Sequence, residues 1–271
     1  MRKLLFSIFS ALLIAAAPAQ AADKLVNGID ANFPPFAYVD DAGKPSGFDV
    51  EALDWVAKDM GVQVTHQPME WDGIVTSLVT KKIDIIASGM TINEERAKQV
   101  AFSDPYWVVK LVMVAKKDAK ITVEDIFKSG KTVGVQQGTP EAKWLKKEIE
   151  EKGYKTQLRL YNSSPLAVED MLNGRIDAAV MDDAPAQDAA SKKPVQILGT
   201  FGMPEESFGY AVRKDEPELL ARVNASLKKL MASPEWKQLI EKHKLNQPKA
   251  EEAAAEEPKA EASAPEAPKA Q

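Results

Sequence analysis

The chain has no cysteine. A disulfide scaffold, a thiolate metal site, a cysteine nucleophile and a lipid-anchored N-terminal cysteine are all excluded. Histidine is nearly as scarce, with His66 and His243 the two in 271 residues. A histidine-based metal site or a Ser-His-Asp triad has little to draw on, so no metal, cofactor or catalytic residue is expected. The net charge is −5, which offers no basic surplus to a nucleic acid. There is one long apolar run, residues 4–17, preceded by Arg2 and Lys3 and followed by Ala19-Gln20-Ala21. This is the pattern of a cleaved signal peptide over residues 1–21, too short to span comfortably and followed by no stop-transfer charges. No other stretch is apolar and long enough to cross a membrane, so the mature chain is expected to be exported and soluble.

What is present reads as alternating strands and helices. Residues 25–29, 62–65 and 83–87 are short apolar runs of strand type, separated by amphipathic stretches over 47–60 and 73–82. The run over 108–115 reads as one strand leaving the first unit. A second series follows: a strand over 132–136, a helix to about 152, a strand over 155–161, a helix over 165–173 and a strand ending at Asp182. Lys82-Ile83-Asp84-Ile85-Ile86-Ala87 is echoed by Arg175-Ile176-Asp177-Ala178-Ala179-Val180. Two units of similar wiring make two α/β lobes. A strand over 207–213 is expected to cross back, followed by helices over 216–231 and 234–244. Residues 247–271 are Ala, Glu, Lys and Pro without aromatics, and are expected to be a disordered tail that buries no core.

Candidate binding residues stand at strand ends, where open α/β sheets receive ligands. Ser88, Gly89 and Thr91 follow a strand with small side chains and hydroxyls. Asn93 is placed as a helix N-cap with Glu94 and Glu95 in the first turn, and Arg96 stands one turn in. Donors, a hydroxyl and a guanidinium near one point suit a carboxylate. Asp30 closes the first strand, and Phe33 sits beside it on a loop stiffened by Pro34 and Pro35, with Phe36 expected in the core. Trp71 begins a helix after a strand. After the strand ending at Gln136, Gln137, Gly138, Thr139 and Pro140 form an anion-accepting helix start without the lysine of a nucleotide-binding loop. Asp182 is a bare carboxylate at a strand end that could hold an ammonium, and Asp183 beside it is expected to be solvated.

The stretch from Lys82 to Tyr106 resembles the signature of the periplasmic polar-amino-acid-binding proteins of ABC importers. The resemblance extends from Leu25 to about Leu245. The family usually has threonine where this chain has Asn93; both residues cap helices. The resemblance implies a type II periplasmic-binding-protein fold: two lobes, two crossing hinge strands and a ligand in the interlobe cleft. Lobe 1 is then residues 22–110 with 206–246, and lobe 2 is 111–205. It implies that Gly89, Thr91 and Arg96 hold the ligand's α-carboxylate, with Thr91 and the Gly89 carbonyl also able to meet its ammonium. Gly138 and Thr139 add carboxylate contacts from lobe 2, and Asp182 takes the ammonium. Asp30, Phe33, Trp71 and Gln136 face the ligand side chain, and Met90 is counted with the site.

The expected function is therefore capture of a free basic or polar α-amino acid by Venus-flytrap closure, for delivery to an inner-membrane ABC permease. The expected setting is the periplasm and the expected state a monomer that is not an enzyme. The rival is a dehydratase of the cyclohexadienyl or arogenate type on the same fold. It would need an acid/base group at the reacting carbon, and Asp30, Glu70 and Asp182 are the candidates.

Overall fold

A computed structural model describes residues 24–246. The expected signal peptide over 1–21 and the expected tail over 247–271 lie outside the described residues. The chain opens with β1 (Lys24–Asp30), β2 (Asn32–Phe33), β3 (Ala37–Val39) and β4 (Pro45–Ser46). Then come α1 (Phe48–Met60), β5 (Gln63–Met69), α2 (Ile74–Val79), β6 (Ile85–Ile86), α3 (Glu94–Ala97) and β7 (Val100–Phe102). The chain crosses over through β8 (Trp107–Val109) into β9 (Leu111–Lys116), α4 (Val123–Lys128), β10 (Thr132–Gln136) and α5 (Pro140–Lys152). Next are β11 (Gln157–Tyr161), α6 (Ser164–Leu172), β12 (Ala178–Asp182), α7 (Asp183–Lys192) and β13 (Val195–Thr200). It returns through β14 (Glu206–Phe208) to β15 (Ala211–Arg213), α8 (Pro217–Met231) and α9 (Pro234–Lys242).

Two five-stranded sheets result, ordered β5-β1-β6-β15-β7 and β11-β10-β12-β9-β13. Their wiring is the same. In each, one strand, β1 or β10, lies between parallel neighbours (β5 and β6; β11 and β12), and an antiparallel strand, β15 or β9, pairs with β6 or β12. Between the sheets, β8 and β14 pair antiparallel, Trp107 opposite Phe208 and Val109 opposite Glu206. The fold is two α/β lobes joined by two crossing strands. β15, built from residues beyond the second sheet, completes the first.

The echoed Ile-Asp pair has a shared physical role. Asp84 accepts the Val26 N–H at 2.9 Å, and its own N–H donates to the Val26 carbonyl at 2.8 Å. Asp177 does the same to Thr132, at 2.8 and 2.9 Å. Each aspartate thus closes the start of the strand between parallel neighbours, β1 or β10, and a cation meets its other oxygen: Arg213 at 2.9 Å, Lys131 at 3.1 Å. These pairings satisfy backbone groups that would otherwise lose hydrogen bonds at a strand end.

Several expectations need correction. The run over 108–115 is two strands, β8 and β9, and the return over 207–213 is also two, β14 and β15. In each case the chain leaves a two-stranded ribbon for a larger sheet, and one ladder cannot serve both. β5 runs on to Met69 despite Pro68, because it is an edge strand where a missing N–H is tolerated. The stretch containing α7 and β13 carries no clear period, since α7 buries the small Ala184, Pro185 and Ala186 rather than large apolar residues.

The hinge is anchored by aromatic packing. Phe36 is fully buried and meets Phe208 at 5.1 Å, Trp107 at 6.0 Å and Phe48 at 6.0 Å between ring centroids. Both crossing strands therefore press on the loop that presents Phe33. Such ring pairs add about 0.5–1.5 kcal/mol each beyond area burial.

Candidate functional site: a cleft between the lobes

A cavity of about 340 Å³ opens between the two sheets. The first lobe lines it with Asp30, Phe33, Trp71, Gly89, Thr91 and Arg96; the second contributes Gln136, Thr139 and Asp182. Nine of the eleven residues expected from the sequence thus meet there. Gly138 lies just outside, where its carbonyl accepts a hydrogen bond from Arg96 Nη2 at 3.2 Å. Met90 is placed elsewhere: its side chain is fully buried with Trp71, Ile74 and Leu78, on the core side of the loop. The left-handed turn at Gly89 redirects the chain there, so Met90 packs into the core while Thr91 lines the cleft.

Arg96 is 8 % exposed and held from several sides. Asn93 caps α3, its side chain accepting the Arg96 N–H at 2.9 Å, as expected for that position. Arg96 Nη1 donates to the Thr91 carbonyl at 3.0 Å and to the Thr91 hydroxyl. The guanidinium lies over Trp71, 5.3 Å from the ring centroid. Burial pulls the Arg96 pKa down, and the carboxylates of Glu141, Glu206 and Asp182 oppose that pull. Among the described residues no ion pair joins Arg96 to Asp182, although both line one cavity from opposite lobes.

The loop carrying Gly89 is fixed by Asp49. Asp49 Oδ2 accepts the Gly89 N–H at 2.6 Å and the Tyr106 hydroxyl at 2.8 Å. Gly89 itself has φ 59°, and a Cβ there would lie 2.3 Å from the Phe33 ring. Only glycine meets both demands. Asp49 Oδ1 is buried without a partner, and burial pushes the Asp49 carboxyl up to about 7. The folded pKa therefore exceeds the unfolded one, and the folded state binds the extra proton between about pH 4 and 7. This group's share of stability is present below that window and lost as pH rises through it. Asp49→Asn is expected to keep the fold and flatten the decline in melting temperature between pH 4 and 7. Asp49→Ala leaves two donors unpartnered and costs roughly 1–3 kcal/mol for each. Thermal unfolding at several pH values checks both; an unchanged slope in Asp49→Asn counts against this assignment.

The other end of the cavity is held by Asp30, which is 3 % exposed. Its Oδ1 accepts the Asn32 N–H at 2.9 Å and its Oδ2 accepts from Gln136 Nε2 at 2.8 Å. Gln136 in turn accepts from Ser164 Oγ at 3.1 Å. Burial raises the Asp30 pKa, and these hydrogen bonds partly offset it. The Asp30–Gln136 bond, the Arg96–Gly138 bond and an ion pair between Glu95 and Lys143 all cross between the lobes.

Asp182 ends β12 and precedes α7. It is 8 % exposed, and the hydrogen bond it receives is from its own backbone N–H. Burial raises its pKa well above the ordinary range, and the charges of Glu141, Asp183 and Glu206 push the same way. Asp183 is half-buried rather than solvated, because it opens α7 against the Lys110 backbone instead of continuing the strand.

Sequence reasoning missed Glu141 and Phe208 in the cavity wall and Glu206 close by. Glu141 stands in the first turn of α5, where acids are common for the helix dipole alone, so nothing marked it. Among the described residues no group of three or more metal-ligating side chains is arranged to hold an ion. No described helix is long and apolar enough to cross a membrane.

Two like-wired lobes, a double crossover and a charged cavity between them define a cleft-binding protein. Residues 25–246 match the bacterial extracellular solute-binding proteins, family 3, and the chain belongs to that family. It is 34% identical over 222 residues to the L-cystine-binding protein TcyJ of Escherichia coli (strain K12), covering 80% of this chain and 81% of that one. It is 32% identical over 252 residues to the L-arginine-binding protein of Pseudomonas aeruginosa, covering 90% and 96%. Its fold matches an ancestral arginine-binding protein bound to arginine with TM-score 0.75 at 36% identity, covering 82% of this chain and 99% of that one. The similar proteins are binding proteins of extracytoplasmic type, which favours solute binding over the dehydratase reading.

Proposed function

We propose that this protein captures a free basic or polar α-amino acid in the interlobe cleft and delivers it to an ABC permease of the inner membrane. The observation that carries this reading is Arg96 and Asp182, both buried, lining one small cavity from different lobes. Arg96, Thr91, Gly89, Thr139 and the Gly138 segment take the carboxylate; Asp182 takes the ammonium. Asp30, Gln136, Phe33 and Trp71 receive the side chain, with Met90 supporting the loop from the core.

Because the two ligand charges anchor to different lobes, ligand binds the closed state better and shifts the population towards it. The moving bodies are residues 22–110 with 206–246, and 111–205. The protein works as a monomer in the periplasm after its signal peptide is removed. The arginine and cystine specificities named for its relatives support a polar ligand.

Calorimetry of the mature protein against the twenty amino acids tests this. The tightest binding is expected for arginine, lysine, histidine or glutamine. Tightest binding to aspartate or leucine overturns the ligand class. Mass spectrometry of what co-purifies gives an independent identification.

A further inference from the structure

The cavity is short of positive charge. Its wall carries three carboxylates, Asp30, Glu141 and Asp182, against one guanidinium, Arg96. A fourth, Glu206 on β14, acts on the same group: Arg96 feels Glu141, Glu206 and Asp182 together. Asp30 is compensated by donors from Gln136 and the Asn32 backbone. Glu141 is met by its own backbone N–H and the Thr139 side chain, whereas Asp182 and Glu206 are less well compensated. Asp182 is 8 % exposed and lines the cavity, and its own backbone N–H bonds its carboxylate. Glu206 Oε2 is buried with no hydrogen-bond partner. Glu141 is 5 % exposed at the start of α5.

A zwitterionic ligand leaves this balance where it was. Its carboxylate cancels Arg96 and its ammonium cancels one acid, so Glu141 and Glu206 stay unmatched. A ligand with one further positive charge relieves them. We propose that Glu141 and Glu206 are specificity-determining residues that favour amino acids of net positive charge, acting through their field on the ligand. This rests on the amino-acid reading of the cleft given above and narrows it from basic or polar to cationic. Neither residue needs to touch the ligand. Unit charges about 10 Å apart at an effective dielectric near 20 still change an equilibrium roughly tenfold.

Arginine and citrulline differ in charge at nearly constant shape, so the test is their ratio of affinities. Both are titrated calorimetrically into the full mature protein and into Glu141→Gln and Glu206→Gln. Wild type is expected to prefer arginine, and each variant to lower the preference roughly tenfold by weakening arginine while citrulline holds or gains. In buffers of different ionisation enthalpy, arginine is expected to release more protons from wild type than citrulline does, and less so from each variant. A merely structural role would not move that difference. An unchanged ratio in variants that melt like wild type overturns the proposal. So does equal binding of both ligands by wild type, which leaves amino-acid binding intact. Failure to bind any amino acid overturns the underlying reading as well. If one variant does not fold, the other and the proton release of wild type decide.

Discussion

Replacing Arg96 by methionine is expected to abolish high-affinity amino-acid binding while the protein stays folded. The side chain is buried over Trp71, so methionine can fill its volume and keep the ring contact. What disappears is the only guanidinium in the cavity wall. The ligand carboxylate would then be desolvated on closure without a cation to meet it. Truncating one partner of a buried charge pair costs roughly 2–5 kcal/mol, a loss between about thirtyfold and several thousandfold. Arg96→Lys is expected to recover a small part, because an ammonium keeps the charge but lacks the planar fork that accommodates a carboxylate, Thr91 and Gly138 together. Calorimetry with the tightest wild-type ligand checks this. A loss under tenfold for Arg96→Met shows that the carboxylate is held elsewhere.

Asp182→Asn is expected to act in opposite directions on binding and on stability. Without ligand, Asp182 is a carboxylate buried among Glu141, Asp183 and Glu206, with a pKa raised well above its unfolded value of 3.8. A raised folded pKa means that stability from this group is complete below the unfolded pKa and is lost as pH rises through the folded one. At neutral pH the group therefore weakens the ligand-free fold, and the carboxamide removes that burden. The ligand-free variant should gain roughly 0.5–2 kcal/mol, a few degrees in melting temperature at pH 7, and the gain should vanish towards pH 4. Binding should fall by roughly 2–5 kcal/mol, since the ammonium loses its charged partner. Melting curves with and without ligand, at pH 4 and pH 7, read both effects. A variant that is less stable than wild type at pH 7 without ligand contradicts the raised pKa and its cause.

The two results share one origin. A binding site for a zwitterion must hold unmatched charges before the ligand arrives, and those charges are buried here on both lobes. Their cost is partly met by bonds within the protein: Arg96 to Thr91 and Gly138, Asp30 to Gln136. Ligand must exchange some of these for its own contacts. On the proposed reading, closure would thin the water around both ligand ion pairs and strengthen their attraction, while desolvation would take back part of the gain.

Much of this was legible in the chain. Asn93 as a cap, Arg96 one turn later, Asp30 and Asp182 at strand ends and Gly138-Thr139 before a helix are local patterns, and local patterns survive folding. The repeated Ile-Asp disclosed two lobes because the same strand start has to be closed in each sheet. The strand breaks at Lys110 and at Gly209–Tyr210 were not legible, since it is the change of sheet that separates the strands on either side. Met90 was read with its neighbours although the turn at Gly89 leaves its side chain in the core.

By itself, the sequence determined the kind of protein: strand-helix alternation, small residues and a guanidinium after one strand, an acid after another, and too few histidines and cysteines for metal or thiol chemistry. Only the tertiary structure decided which acids share the cavity with Arg96. Asp182, Glu141 and Glu206 come from a strand end, a helix start and a hinge strand, separated by dozens of residues. Their mutual field depends on distance through space and on burial, and neither quantity is written in the order of residues along a chain.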